Sequence, residues 1–179
     1  MERDEKTLIQ LSVSGDAGAF RALLDMHYMS VYKMAYHLCG HREDAEDITQ
    51  LACIKISQNI MNFQMNSKFT TWIYTIVLNT YRDWNDNRAN TGRGKVALED
   101  AAPRLRNDDN PETNAATNEQ LRQLSALPSE ERETVILVFA HGLSHKEAAN
   151  ALGCAESTVS WRVHEVRKKL AGMKEGSGS

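Results

Sequence analysis

The stretch HGLSHKEAANALGCAESTVSWRVHEVRKKL, from His141 to Leu170, constrains the fold more than any other part of the chain. Ser144 followed by Glu147 is a capping-box pattern that starts a short helix. Ala148, Ala149 and Leu152 form its inner face, and alanines there let a second helix approach closely. Gly153 supplies the turn, because a residue without Cβ takes a positive φ at no steric cost. A second helix then places Val159, Val163, Val166 and Leu170 at steps of four, three and four, which is one helical face. Its other faces carry Ser160, Trp161, Arg162, His164, Arg167, Lys168 and Lys169. This is either an ordinary αα-hairpin with a solvated basic face, or a helix-turn-helix whose second helix fits a DNA major groove. Cap, alanines, glycine and apolar spacing all agree with the second.

Charge complicates that reading. The 179-residue chain has a formal net charge of −3, so a DNA-binding role needs positive charge concentrated locally, or affinity supplied through a partner. Hydrophobic residues make up 41% and charged residues 25%, which suits a soluble globular chain of one domain or two small ones. No apolar run approaches a membrane span, and MERDEKTLIQ has no signal-peptide pattern, so direct membrane contact is not expected. Cys39, Cys53 and Cys154 are odd in number and scattered, which argues against a disulfide framework and for the reducing cytoplasm.

The expected fold class is all-α: two small helical domains joined by a flexible linker, the C-terminal one a helix-turn-helix. The first domain spans 1–90. Phe20, Leu24, Tyr28, Val31, Ala35 and Leu38 repeat at threes and fours, and Gly40 ends that helix. A second helix follows the acidic start EDAED, with Ala45, Ile48, Ala52, Ile56 and Ile60 on one face. A third runs from about Phe69 to Asn87, with Phe69, Trp72, Ile73, Ile76, Val77 and Trp84 as its expected core face. Residues 91–116 hold glycines, prolines and little apolar periodicity, and read as the linker. The second domain spans 117–173. Thr117 and Gln120 form a capping pair, Leu121, Leu124 and Leu127 an apolar face, and Pro128 a break. Ser129 starts the next helix, which carries Val135, Ile136 and Phe139. The tail 174–179, ending in GSGS, reads as disordered.

Three features could carry function. The EDAED helix sets Asp47, Gln50, Ile54 and Ser57 on an outer stripe with Leu51 beside it, a mixed acidic and apolar surface suited to a protein partner; the bland alternative is a solvated helix whose acidic start complements its dipole. Six of the chain's twelve aromatic residues (Phe63, Phe69, Trp72, Tyr74, Tyr81 and Trp84) fall close together, interleaved with Lys68, Asn79 and Arg82. Aromatic faces beside amide and cationic groups suit unstacked bases. The competing reading is a core, with Trp72 mostly inside and the loop Phe63–Lys68 left to hold a base. His37, Cys39 and His41 are close together, but no fourth ligand is nearby and no metal or cofactor is expected. No nucleophile motif has partners placed to activate it, so no enzyme is expected.

Taken in order, EDAEDITQ, FQMNSKFTTWIYTIVLNTYRDW and LPSEERETVILVFAHGLSHKEAANALGCAESTVSWRVHEVRKKL resemble an extracytoplasmic-function (ECF) sigma factor, from about Leu8 to Leu170. The resemblance implies a bacterial initiation factor whose partners are core RNA polymerase, through the β′ clamp helices and the β subunit, promoter DNA and an anti-sigma factor. It implies that Asp44, Asp47, Gln50, Leu51 and Ile54 dock on the polymerase. It assigns Phe63, Gln64, Asn66, Ser67 and Lys68 to capture of a flipped −10 base, with Asn79 close to the same DNA and Arg82 and Arg88 on its phosphates. It assigns Ser160, Trp161, Arg162, His164 and Glu165 to the −35 element, with Arg167 and Lys168 on phosphates. Leu51 and Cys53 depart from the family's usual acidic and aromatic residues, and Ser160 and Glu165 stand where a basic residue is common. Glu165 would repel phosphate yet could accept from cytosine N4, which implies a distinct −35 preference. The acidic net charge fits a factor that the polymerase holds on its promoter. Alternatives are a stand-alone helix-turn-helix regulator, which would need a dimerisation helix that the sequence lacks, and a sigma-like module binding only an anti-sigma partner.

Overall fold

A computed structural model describes residues 4–90, 119 and 122–176, the last four as backbone only. The linker, the Thr117–Gln120 cap, Leu121 and the extreme C-terminus lie outside the described residues. The chain divides into two compact units, Met1–Val96 and Ala97–Ser179.

The N-terminal unit contains α1 (Glu5–Val13), α2 (Ala17–Cys39), α3 (Arg42–Asn59) and α4 (Phe69–Asn90). Aspartates start the first two helices: Asp4 accepts from the Thr7 amide at 2.8 Å and Asp16 from the Ala19 amide at 2.9 Å. Gly40 ends α2 at φ 76°. Helices α2, α3 and α4 pack on one another around Leu23, Val31, Met34, Ile48, Ile56, Ile73, Val77 and Leu78, and α1 lies against α2. The apolar face expected for α3 is buried throughout. That of α2 is displaced in its first half. Leu23 and His27 point inward, while Phe20 and Leu24 are half-buried and Tyr28 is exposed. A buried histidine is tolerable here because Glu5 of α1 takes its Nε2–H at 2.8 Å. On α4 the core side is Phe69, Ile73, Tyr74, Val77, Leu78 and Tyr81, so Trp72, Ile76 and Trp84 sit on the flank, half-buried. A 3-10 turn, Ile60–Asn62, leads from α3 into the loop before α4.

The C-terminal unit has a helical stretch at 122–125, then α5 (Ser129–Val135), α6 (His145–Leu152) and α7 (Glu156–Gly176). Helix α5 continues as a π turn over Ile136–Ala140, which leaves Phe139 exposed. Both capping-box bonds form: Glu147 N–H donates to Ser144 Oγ, and Ser144 N–H donates to Glu147 Oε2 at 2.8 Å. Gly153 ends α6 at φ 70°. Ala148, Ala149 and Ala151 are the buried residues of α6, with Leu152 half-buried, so the close approach runs through three alanines. Val159, Val163 and Val166 are buried on α7, and Leu170 packs against Leu127, Val135 and Val166. Helix α7 runs to Gly176, beyond the boundary at 173 expected from the sequence. Among the described residues, no helix is long and apolar enough to cross a membrane.

Candidate functional site

On α3 the outer stripe is Asp47, Gln50, Leu51 and Ile54, all exposed, with Ile54 at 52% and Leu51 at 43%. Asp44 does not belong to it. Its carboxylate accepts from Arg88 Nη1 at 2.8 Å, both side chains are mostly covered, and the Arg88 guanidinium lies 4.9 Å from the Trp84 ring centroid. The pair ties the start of α3 to the end of α4. It engages Arg88, which the resemblance offers as a phosphate contact, and Asp44, which it offers to a protein partner.

The loop between α3 and α4 is pinned at both ends by rings. Phe63, only 6% exposed, lies 5.5 Å from Phe69 and 5.1 Å from Trp72, and Phe69 is 5.5 Å from Trp72. The Phe63 ring is therefore turned inward and holds the loop instead of offering a stacking face. The exposed loop side chains are Gln64, Met65, Asn66, Ser67 and Lys68, with Asn66 Nδ2 donating to Gln64 Oε1 at 3.3 Å. Met65 has φ 55°, left-handed for a side chain that disfavours it, a conformation of the kind found where loops are shaped for binding. Beside the loop is a cleft of ≈ 290 Å³ lined by Lys55, Asn59, Asn62, Trp72, Ile76 and Asn79. Asn79 is exposed and Arg82 half-buried on α4. Lys55 also bridges to Asp83 at 2.7 Å. Sequence reasoning missed Lys55, Asn59 and Asn62, although steps of four and three place them on one side of the α3 end.

On α7, Trp161 is 59% exposed, and Ser160, His164 and Lys168 are also exposed. Ser160 Oγ is 2.9 Å from His145 Nδ1, so α6 orients it. Glu165 is half-buried, 3.8 Å from Lys168 Nζ. Arg167 stands 5.3 Å from the Phe139 ring centroid. Arg162 departs from the expectation of a DNA-facing residue: its side chain is 13% exposed and its guanidinium donates to Glu130 of α5. Lys169 Nζ donates to both Glu131 oxygens at 2.7 Å. Two ion pairs thus bolt the second helix of the hairpin to α5.

Among the described residues, no three His, Cys, Asp or Glu side chains converge as a metal site. Burial pushes the Cys39 thiol up to about 12, and the thiol donates to the His41 carbonyl at 3.3 Å.

The Sigma-70 region 2 profile matches residues 23–90, and the Sigma-70, region 4 profile matches residues 119–170. The chain is 31% identical over 144 residues to the ECF RNA polymerase sigma factor EcfG of Rhodopseudomonas palustris (strain TIE-1), covering 80% of this chain and 78% of that protein. It is 31% identical over 170 residues to SigM of Mycobacterium tuberculosis (strain H37Rv), covering 95% and 84%. SigW of Bacillus subtilis (strain 168) is 28% identical over 180 residues, covering 95% and 96%. The protein belongs to the ECF sigma factors of the sigma-70 family, non-enzymatic factors that act in transcription initiation with RNA polymerase. Two solved structures share its fold. One is CnrH in complex with the cytosolic domain of CnrY (TM-score 0.72, 22% identity, covering 98% of this chain and 99% of that one). The other is the sigma factor RpoE in complex with the anti-sigma factor NepR from Bartonella quintana (TM-score 0.70, 24% identity, covering 87% and 96%).

Proposed function

We propose that the protein holds RNA polymerase on a promoter at three places. The α3 stripe of Asp47, Gln50, Leu51 and Ile54 docks on the β′ clamp helices. The exposed loop 64–68, with the cleft walled by Trp72 and Asn79, receives an unpaired base of the −10 element. Helix α7 enters the major groove of the −35 element through Ser160, Trp161, His164 and Glu165. The domain boundaries proposed are 1–90, 91–116 and 117–173. The observation that carries the reading is the cleft itself, where Trp72 shares the lining with Lys55, Asn59, Asn62 and Asn79. An aromatic face can stack an unpaired base, and side-chain amides both donate and accept along a base edge. In the C-terminal unit, an apolar recess of ≈ 280 Å³ lined by Leu124, Leu127, Val135, Ile136, Phe139 and Leu170 suits an apolar element of the β subunit.

The proposed brake is an anti-sigma factor covering the α3 stripe and the recess; RpoE, a fold relative, was solved with such a partner. Run-off transcription with purified core polymerase tests the whole reading. Core-dependent transcripts from promoters carrying both elements are expected, lost with Trp72→Ala and redirected to other −35 sequences by Glu165→Arg. Tight, specific duplex binding without polymerase, and no core-dependent transcript on any promoter, would establish the stand-alone regulator instead.

A further inference from the structure

Helix α1 lies outside the region 2 match, which covers residues 23–90. Yet it contacts both α2 and the 3-10 turn that opens the −10 loop. From α1, Glu5 Oε1 accepts from His27 Nε2 at 2.8 Å. His27 is 8% exposed, and its ring meets Phe69 edge-on, 5.2 Å between centroids and 61° between planes. Phe69 in turn touches Phe63 and Trp72. Phe63 opens the loop, Phe69 closes it, and Trp72 forms a wall of the cleft. A continuous path of contacts therefore runs from an exposed carboxylate on α1 to both ends of the loop. A polar side chain buried against the Phe69 ring is hard to explain by packing alone, since an apolar residue would fill the same space without needing a partner.

We infer that His27, held by Glu5, is a positioning residue that sets the −10 loop, and that α1 is thereby a working part of promoter opening. The inference rests on the reading of the loop and cleft as the −10 site. A hydrogen bond fixes the imidazole in rotation as well as in place, which packing against one ring does not, and the ring then limits where Phe69 and the loop can settle.

The test uses the full chain and the holoenzyme formed from it. Glu5 is half-exposed in its side chain, so Glu5→Ala removes the acceptor without opening a cavity in the core. Promoter opening is followed with 2-aminopurine in the −10 element, and amide exchange is measured at Phe63 and Trp72, whose N–H groups donate to Ile60 and Lys68 at 3.1 Å. Glu5→Ala is expected to slow opening about fivefold and to speed exchange of those amides by a similar factor, the scale of one lost ordinary hydrogen bond, since Glu5 is half in solvent. Glu5→Gln keeps the acceptor and should restore opening to within about twofold. His27→Phe keeps the ring and loses the bond; it should match Glu5→Ala, and the double variant should be no slower than either single one. Unchanged amide exchange in Glu5→Ala, unchanged opening, or additive effects in the double variant would each overturn the inference. A Gln64→Ala/Asn66→Ala variant separates the two levels. If it opens promoters normally, the loop reading fails; if it is slow while Glu5→Ala is normal, only the role of α1 fails.

Discussion

Arg162 is the position at which charge pattern and packing make opposite predictions. Its place on the basic side of α7 suggests a DNA contact; its side chain is 13% exposed and paired with Glu130, itself 71% exposed. Because Glu130 is well solvated, the pair contributes only about 0.5–1 kcal/mol. The covered aliphatic stem contributes more, up to about 1.6 kcal/mol for the two methylenes beyond Cβ that alanine lacks, at ~0.8 kcal/mol each. Arg162→Ala should therefore destabilise the C-terminal unit by about 2–3 kcal/mol, an upper figure because an unfolded chain already covers part of such a stem. In a unit of this size that lowers its melting midpoint by roughly 10–20 °C. Arg162→Met keeps most of the stem and should recover about two-thirds of the loss. The assay is thermal unfolding followed by circular dichroism, beside promoter binding by holoenzyme at several salt concentrations. A phosphate contact removed would lower the slope of log K against log salt by about 0.9. The reasoning is refuted if Arg162→Met melts like the parent chain while binding weakens tenfold with that reduced slope.

Other consequences follow from single features. Gly153→Ala should cost the C-terminal unit about 1 kcal/mol, all of it backbone strain at φ 70°, since an added Cβ meets nothing within 4 Å; Gly153→Asn should cost less, and equal losses would point to packing instead. Burial first, and then the Lys33 charge, hold the His37 imidazole below its ordinary value, so the unfolded chain takes up a proton that the folded one declines. Stability of the N-terminal unit should then fall as pH drops below ~6.5, and His37→Gln should flatten that part of the profile, as measured by urea unfolding. Cys39, with its thiol raised to about 12, should resist alkylation at pH 8, where only about one thiol in ten thousand is ionised, and react once the chain is unfolded; fast native labelling would contradict its buried contact with the His41 carbonyl.

The sequence by itself determined the elements whose signals are local. The Ser144–Glu147 capping box, Gly153 and the valines at 159, 163 and 166 specify a helix-turn-helix because each depends only on neighbours within one or two turns. The inner face of α3 is legible for the same reason. Only the tertiary structure decided which polar groups are available at a surface. His27, which the expected apolar face of α2 leaves out, is buried with Glu5, 22 positions away, as its partner. Asp44 and Arg88, 44 positions apart, read as two separate contact residues and turn out to be one ion pair. Arg162 reads as a DNA contact until Glu130 covers its charge. Phe63 reads as a stacking face and becomes the anchor that holds the loop. Helical periodicity says which side of a helix is apolar, but the cost of burying a charge or an imidazole depends on what another helix places opposite it, and one helix's pattern does not contain that information.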